Sequence, residues 1–288
     1  MKVAILGNGS IGSMLALKIS NSGHSVTIFG DKFRKGSASI AAGAMLNVMA
    51  EVEDGQLDYE PLRLKFELAY NSQRKWDDFV SKNFSSSENI EFKKRNTIIL
   101  TNHRTTPFEK KQFNYLKKIK KDFPKDIKIK ISSNKNDVIL PRERFIDSNL
   151  LMNTLDKHLQ KNKVKCINDI KDYQLRKINK KIQITFNKKK ETFDFVVVAL
   201  GSFTEKFNTR NKKLIGKIPR IFYGVGSAFS VIKKNFTKDF KPSRSVLRTM
   251  NRGSACGFHL IPISKKEFYF GASNSVTQIQ EKYPRIGS

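Results

Sequence analysis

The sequence predicts an α/β fold, and three local patterns predict it. Lys2 to Leu6 is a short, almost wholly apolar run that passes directly into Gly7-Asn8-Gly9-Ser10-Ile11-Gly12, after which Met14, Leu15, Leu17 and Ile19 recur at helical spacing. A turn over Asn21 to His24 leads to a second strand-like run, Ser25 to Phe29, completing a β-turn-α-β unit. Far along the chain, Phe195 to Leu200 is an apolar run of the same kind, read as a buried return strand closed by Gly201.

A GxGxxG loop between a strand and a helix is the fingerprint of a dinucleotide site. Gly7 permits the tight turn, Gly9 lets the backbone approach a pyrophosphate, and Gly12 lets the helix pack on the strand. The helix start, with the N–H groups around Ser10 and Ile11, attracts the anion without any lysine. The acidic residue that usually closes the second strand and holds the ribose hydroxyls is replaced here by Gly30. Asp31, next in line, is the candidate for that bond.

Between this unit and the return strand the pattern changes. Gly36 to Leu46, "GSASIAAGAML", carries no charge and almost no bulk until Met45. Such a passage suits close approach to its backbone by another group, or a helix start packed on a sheet. Asn96 to Thr101 reads as a strand, Pro107 to Lys121 as an amphipathic helix and Ile127 to Ile131 as a strand alternating isoleucine with lysine. Asp147 caps a helix through His158, Val164 to Ile167 is a strand, and Ile182 to Phe186 alternates as a half-exposed one. From Lys213 strands return at Arg220 to Val231, Gly257 to Ile263 and Glu267 to Ala272.

Composition bounds the function. The chain has 288 residues, 39% of them hydrophobic, enough for a large core. Lys+Arg number 55 against 26 Asp+Glu, a net charge of +29. The lysines crowd between Lys93 and Lys190; in "DIKIKI" they alternate with isoleucines and no aromatic residues interleave as stacking platforms for bases, so solvated faces account for them better than a nucleic-acid partner does. Cys166 and Cys256, far apart and without a partner motif, read as small buried hydrophobes. The four histidines are equally scattered, so no metal site is read. No uncharged run approaches a membrane span, and Gly7 to Ser10 interrupts the signal-like N-terminus, so a cytoplasmic protein is expected.

"GSASIAAGAMLNVMAEVE" resembles the Ser/Thr-rich Ala-Ala-Gly-Met-Leu segment of the FAD-dependent D-amino-acid-oxidase-like family, particularly its glycine oxidase branch. "FELAYNSQRKWDDF", "FDFVVVALGSF", "PRIFYGVGSAFSV" and "GFHLIPISKKEFYFGAS" are similar to later segments of that family, in family order. Ala44 departs from the family's usual Gly before Met, and Leu200 stands where a small residue is usual.

The resemblance implies a Rossmann-like FAD/NAD(P)-binding domain, over 1–90 and 140–212, and a discontinuous α+β substrate domain built on an antiparallel sheet, over 91–139 and 213–288. It implies FAD as cofactor. Gly7, Gly9 and Gly12 would hold the pyrophosphate, Ser37 and Ser39 would offer hydroxyls, and Ala42, Gly43, Ala44 and Met45 would lie beside the ring. Ile170 would hold adenine through its backbone, and Gly201 would close the return strand. The implied reaction is oxidation of the C–N bond of a small amine or amino acid by hydride transfer to flavin, with oxygen or another acceptor taking the electrons. His259, Met49, Tyr223 and Arg252 are candidates for the substrate pocket. Two other readings stay open: the oxidase domain of a tRNA wobble-uridine modification enzyme, and a basic nucleic-acid-binding protein or inactive fragment without turnover. Nothing after Ala272 resembles the family's C-terminal segment, so a fragment of a longer protein is expected.

Overall fold

A computed structural model describes residues 1–277 except 35, 89–95, 102–105, 133–134, 169, 171–172, 206, 208–210, 212–220, 237–243, 252–256, 265 and 274. In chain order its elements are β1 (Lys2–Leu6), α1 (Ser10–Asn21), β2 (Ser25–Gly30), α2 (Ala38–Ala41), β3 (Met45–Leu46), α3 (Glu60–Asn83), β4 (Thr97–Leu100), α4 (Pro107–Ile119), β5 (Lys128–Ser132), β6 (Lys135–Leu140) and β7 (Arg144–Phe145). There follow α5 (Ser148–Lys161), β8 (Lys165–Asn168), β9 (Tyr173–Ile178), β10 (Lys181–Phe186), β11 (Lys189–Phe193), β12 (Phe195–Val198), β13 (Tyr223–Val225), β14 (Phe229–Ile232), β15 (Val246–Thr249), β16 (His259–Pro262), β17 (Glu267–Gly271) and β18 (Ser275–Thr277). They form two compact units. One is built mainly from Met1–Ala42 and Ser148–Gly224, the other mainly from Gly43–Asp147 and Val225–Ser275.

The first unit is an α/β sheet in the order β12-β1-β2-β8, all parallel. With α1 as the crossover between β1 and β2, this is the left half of a doubly wound fold. Val3, Ala4, Ile5 and Leu6 of β1 are all buried, as a strand covered on both faces must be. α1 and α5 pack together on the sheet. A second sheet, β11-β10-β9, is antiparallel and joins Ala4, Leu6 and Phe29 in one core through Ile184, Phe186 and Phe193. Phe29 meets Phe186 edge-on at 5.1 Å between centroids.

Two expectations change here. β12 is an edge strand and not a buried one: Phe195 is 57% exposed, because the described residues pair β12 on one side alone. Cys166 is exposed, since β8 closes the other edge of the sheet; Cys256 lies outside the described residues. Ile182 to Phe186 proved to be the middle of three strands. Its neighbours β9 and β11 escaped the sequence pattern because charged residues, Lys177 in β9 and Lys189 and Glu191 in β11, fall at the alternate positions shared with Tyr173, Leu175 and Phe193.

The second unit is built on a seven-stranded sheet, order β14-β17-β16-β15-β4-β6-β5. Its pairs are antiparallel apart from β15 with β4. Register places Val138, Ile99, Arg248, His259 and Gly271 side by side on one face, strand after strand. α4 covers part of that face with Phe113, Leu116 and Ile119, which join Ile99, Val138, Leu140 and the Val48–Val52 stretch in a core. It starts on a capping box: the Glu109 amide donates to Thr106 Oγ1 at 3.2 Å, and the Thr106 amide donates to Glu109 Oε2 at 3.1 Å. On the edge strand β5, Lys128 and Lys130 are exposed while Ile129 packs toward the core, which gives the alternation its physical cause. No helix among the described residues is long and apolar enough to cross a membrane.

Candidate functional site

The glycine loop of the first unit is a cradle with little room in it. A Cβ on Gly12 would lie 1.9 Å from the Gly7 carbonyl oxygen, and Gly7, at φ +109°, would place one 2.2 Å from the Ala199 carbonyl oxygen. Both must be glycine for β1, α1 and the end of β12 to meet. Gly9 differs. It caps α1 with an extended backbone (φ −67°, ψ −177°), and a Cβ there would meet Ser39 Oγ at 3.1 Å. No side chain of the cap residue satisfies the helix start, and no acidic residue occupies its first turn. Instead Ser39 reaches over it: the Ser10 amide donates to Ser39 Oγ at 2.9 Å, and that hydroxyl donates to Ser10 Oγ at 3.2 Å. A hydroxyl oxygen therefore accepts from the helix N-terminus in the way a phosphate oxygen does. A cradle that a Cβ would fill, beside two hydroxyls and open amides including that of exposed Ile11, fits a dinucleotide pyrophosphate.

The missing acid at Gly30 has a steric reason. A Cβ there would fall 2.2 Å from Asn8 Cγ, whose amide group lies over the strand end and donates to the Asp31 carbonyl at 2.8 Å. The Asp31 carboxylate is turned onto its own loop, where its Oδ1 accepts the Phe33 amide at 2.7 Å and the Arg34 amide at 3.1 Å. Sequence reasoning missed Arg34. Its Nε donates to the Asn8 carbonyl at 2.7 Å and its Nη1 to Asp156 Oδ2 of α5 at 2.7 Å, clamping the loop to that helix. Its mark in the sequence was no more than a place between Lys32 and Lys35, just after the second strand. Ile170 packs against the Phe29 core, and Gly201, at φ +55°, opens the turn after β12.

Ser37 caps α2, accepting the Ser39 amide at 3.2 Å, and exposed Ala42 ends it. With Gly43 the chain enters the second unit. Gly43 is small because a Cβ would strike Ile261 Cδ1 at 2.6 Å and Tyr269 Cε1 at 2.9 Å. Met45 packs on Phe145, Val246 and Ile261. Ala44 sits at φ +45°, in the left-handed region that costs an L-residue about 1 kcal/mol and glycine nothing. Ala44→Gly should therefore raise stability by roughly 0.5–1 kcal/mol. A thermal midpoint unchanged or lowered in that variant would count against the strain.

The remaining pocket candidates separate. Met49 is 2% exposed and belongs to the core of the second unit. Tyr223 belongs to the first unit, where its hydroxyl donates to Glu205. Arg252 lies outside the described residues. His259 is buried, stacks on Tyr269 with 5.7 Å between centroids, and has Nδ1 3.2 Å from the Gly257 carbonyl. Burial, reinforced by the nearby Arg248 charge, holds its pKa below the usual imidazole range, so it is neutral at pH 7.

Beside it lies a group that the sequence did not announce. Among the described residues Arg248 is the largest fully buried side chain. Its Nη1 donates to Glu51 Oε1 at 2.7 Å and its Nη2 to Asn251 Oδ1 at 2.6 Å. Burial raises the Glu51 carboxyl, but the Arg248 charge and hydrogen bonds from Arg248 and Asn47 outweigh it and hold Glu51 below the usual carboxylate value. The only sequence signal was an arginine on an otherwise apolar strand.

Comparison with curated proteins gave no match. Among solved structures, glycine oxidase from Geobacillus kaustophilus shares the fold with a TM-score of 0.77 at 16% identity, over 99% of this chain and 74% of that one. Iminodiacetate oxidase from Chelativorans sp. aligns with a TM-score of 0.74 at 14% identity, over 99% and 74%. L-α-glycerophosphate oxidase from Mycoplasma pneumoniae, solved with FAD bound, aligns at 0.68 and 16% identity, over 96% and 72%. The family model for FAD dependent oxidoreductases matches residues 2–285. With its glycine cradle and its two-unit α/β fold, this chain belongs to the FAD dependent oxidoreductase family, and its cofactor is FAD.

Proposed function

We propose that this oxidoreductase acts on the C–N bond of a small amine or amino acid. When bound, FAD supplies the hydride acceptor. In this reading Gly7, Gly9 and Gly12 and the amides of Ser10 and Ile11 hold the pyrophosphate, with Ser37 and Ser39 beside it. Gly43, Ala44 and Met45 border the ring. Neutral His259 and Tyr269 orient substrate without carrying charge. Asp31 reaches the ribose only by leaving its own turn.

The observation that supports the amine reading most is the company the fold keeps. Two glycine oxidases and an iminodiacetate oxidase align over 96% or more of the chain. L-α-glycerophosphate oxidase, which shares the fold, is the contrasting case. The test is turnover by FAD-loaded protein with glycine, sarcosine, iminodiacetate, D-alanine and glycerol 3-phosphate, read both as peroxide release and as reduction of an acceptor dye. Oxidation of at least one amine is expected. Oxidation of glycerol 3-phosphate alone, or of none of the five with either acceptor, overturns the reading.

A further inference from the structure

After β3 the chain from Asn47 to Val52 has no ladder partner among the described residues and only a single 3₁₀ turn, Met49–Glu51. Side chains take the place of the ladder. Gln73 of α3 donates to the Leu46 carbonyl at 2.9 Å, Gln112 of α4 donates to the Val52 carbonyl, and Arg248 of β15 holds Glu51. Between these pins stands Glu143, in the turn before β7. The Val48 amide donates to its Oε1 at 2.8 Å and the Ala50 amide to the same oxygen at 2.9 Å. Glu143 is 1% exposed, and its Oε2 is buried with no hydrogen-bond partner among the described residues.

A glutamine would accept the same two amides through its carbonyl oxygen and cost less to bury. What the acid adds is a charge that comes and goes. We propose that Glu143 is a positioning residue, holding the Val48–Glu51 turn so that Glu51 meets Arg248 and making that fit depend on its own charge. Burial pushes its carboxyl up to about 7, against the lowering influence of the Ala50 and Val48 amides and the Arg248 charge, while Glu51 adds to the rise. The charged groups that face it are Arg248 from β15 and Glu51 from the turn itself; His259 of β16 acts on both. Once Glu143 ionises, Arg248 serves two carboxylates in place of one, and its hold on Glu51 is shared. That the turn serves the flavin, through its direct continuation from Gly43–Met45, rests on the reading above; the hydrogen bonds do not.

The experiment compares wild type with Glu143→Gln, which keeps the acceptor and loses the charge, and Glu143→Met, which keeps the length and loses the acceptor. The folded carboxyl holds its proton more tightly than the ordinary value of 4.5, so its stabilisation is complete below that value and is lost as pH rises through about 7. The thermal midpoint of wild type relative to Glu143→Gln should therefore fall between those pH values. Exchange of the amides around Val48 and Ala50 should stay protected in Glu143→Gln and speed up at least tenfold in Glu143→Met. FAD affinity should fall tenfold in the Met variant and recover in the Gln variant. A wild-type pH dependence retained in full by Glu143→Gln overturns the proposal. So does unchanged amide protection in Glu143→Met, and if that variant does not fold, the Gln comparison alone decides. Wild type that takes up no FAD sinks the proposed function while the exchange and pH results still judge Glu143.

Discussion

Gly9→Val is expected to leave the chain folded and to abolish FAD binding, whereas Gly12→Ala is expected to damage the fold itself. Gly9 has an ordinary extended backbone, and its nearest obstacle is the rotatable Ser39 hydroxyl at 3.1 Å, so a side chain costs the empty protein little. The same side chain fills the space over the α1 N-terminus where an anion has to sit. FAD affinity should fall by about 100-fold or more, ~2.7 kcal/mol, read from quenching of flavin fluorescence on titration. At Gly12 the new carbon meets the Gly7 carbonyl oxygen at 1.9 Å, backbone against backbone, and β1 and α1 have to separate. A loss of about 3 kcal/mol in a denaturant melt is the expected cost. Gly9→Val protein that remained yellow with wild-type affinity would place the pyrophosphate elsewhere.

Arg248→Met should be the most damaging change in the second unit. Methionine fills the apolar part of the site but offers nothing to Glu51 or to Asn251 Oδ1. Breaking a buried ion pair costs about 3–5 kcal/mol, and because the Glu51 side chain is 44% exposed and water can take over part of the debt, the lower end applies. The loss should depend on pH. Arg248 lowers the Glu143 pKa in the folded protein, so without it the acid holds its proton more firmly and the penalty shrinks from pH 8 to pH 5. Urea midpoints at those two pH values measure both effects. A loss below about 1 kcal/mol would show that the pair contributes no more than a surface salt bridge.

Much of the first unit was legible in the sequence because its constraints are local. Strand, glycine loop, helix and second strand follow one another within Lys2–Gly30, and Gly7, Gly12 and Gly30 are each demanded by a contact made inside that stretch or with the end of the strand beside it. Ala44 was legible as a departure, although only its left-handed backbone showed what the departure costs. The strands β9 and β11 were hidden because Lys177, Lys189 and Glu191 stand at the alternate positions that apolar residues would fill, and so break the alternation by which a strand is recognised.

By itself, then, the sequence determined the glycine loop and the small-residue passage, because close backbone approach restricts residue type at the very positions that make it. Tertiary structure alone decided that Asn8 occupies the place of the missing acid, that Gly43 is small on account of Ile261 and Tyr269, and that partly exposed Glu51 joins buried Glu143, Arg248 and His259 in one group. Glu51, on its 3₁₀ turn, and Arg248, placed by the register of the seven-stranded sheet, stand 197 positions apart, and no local pattern of residues carries that meeting.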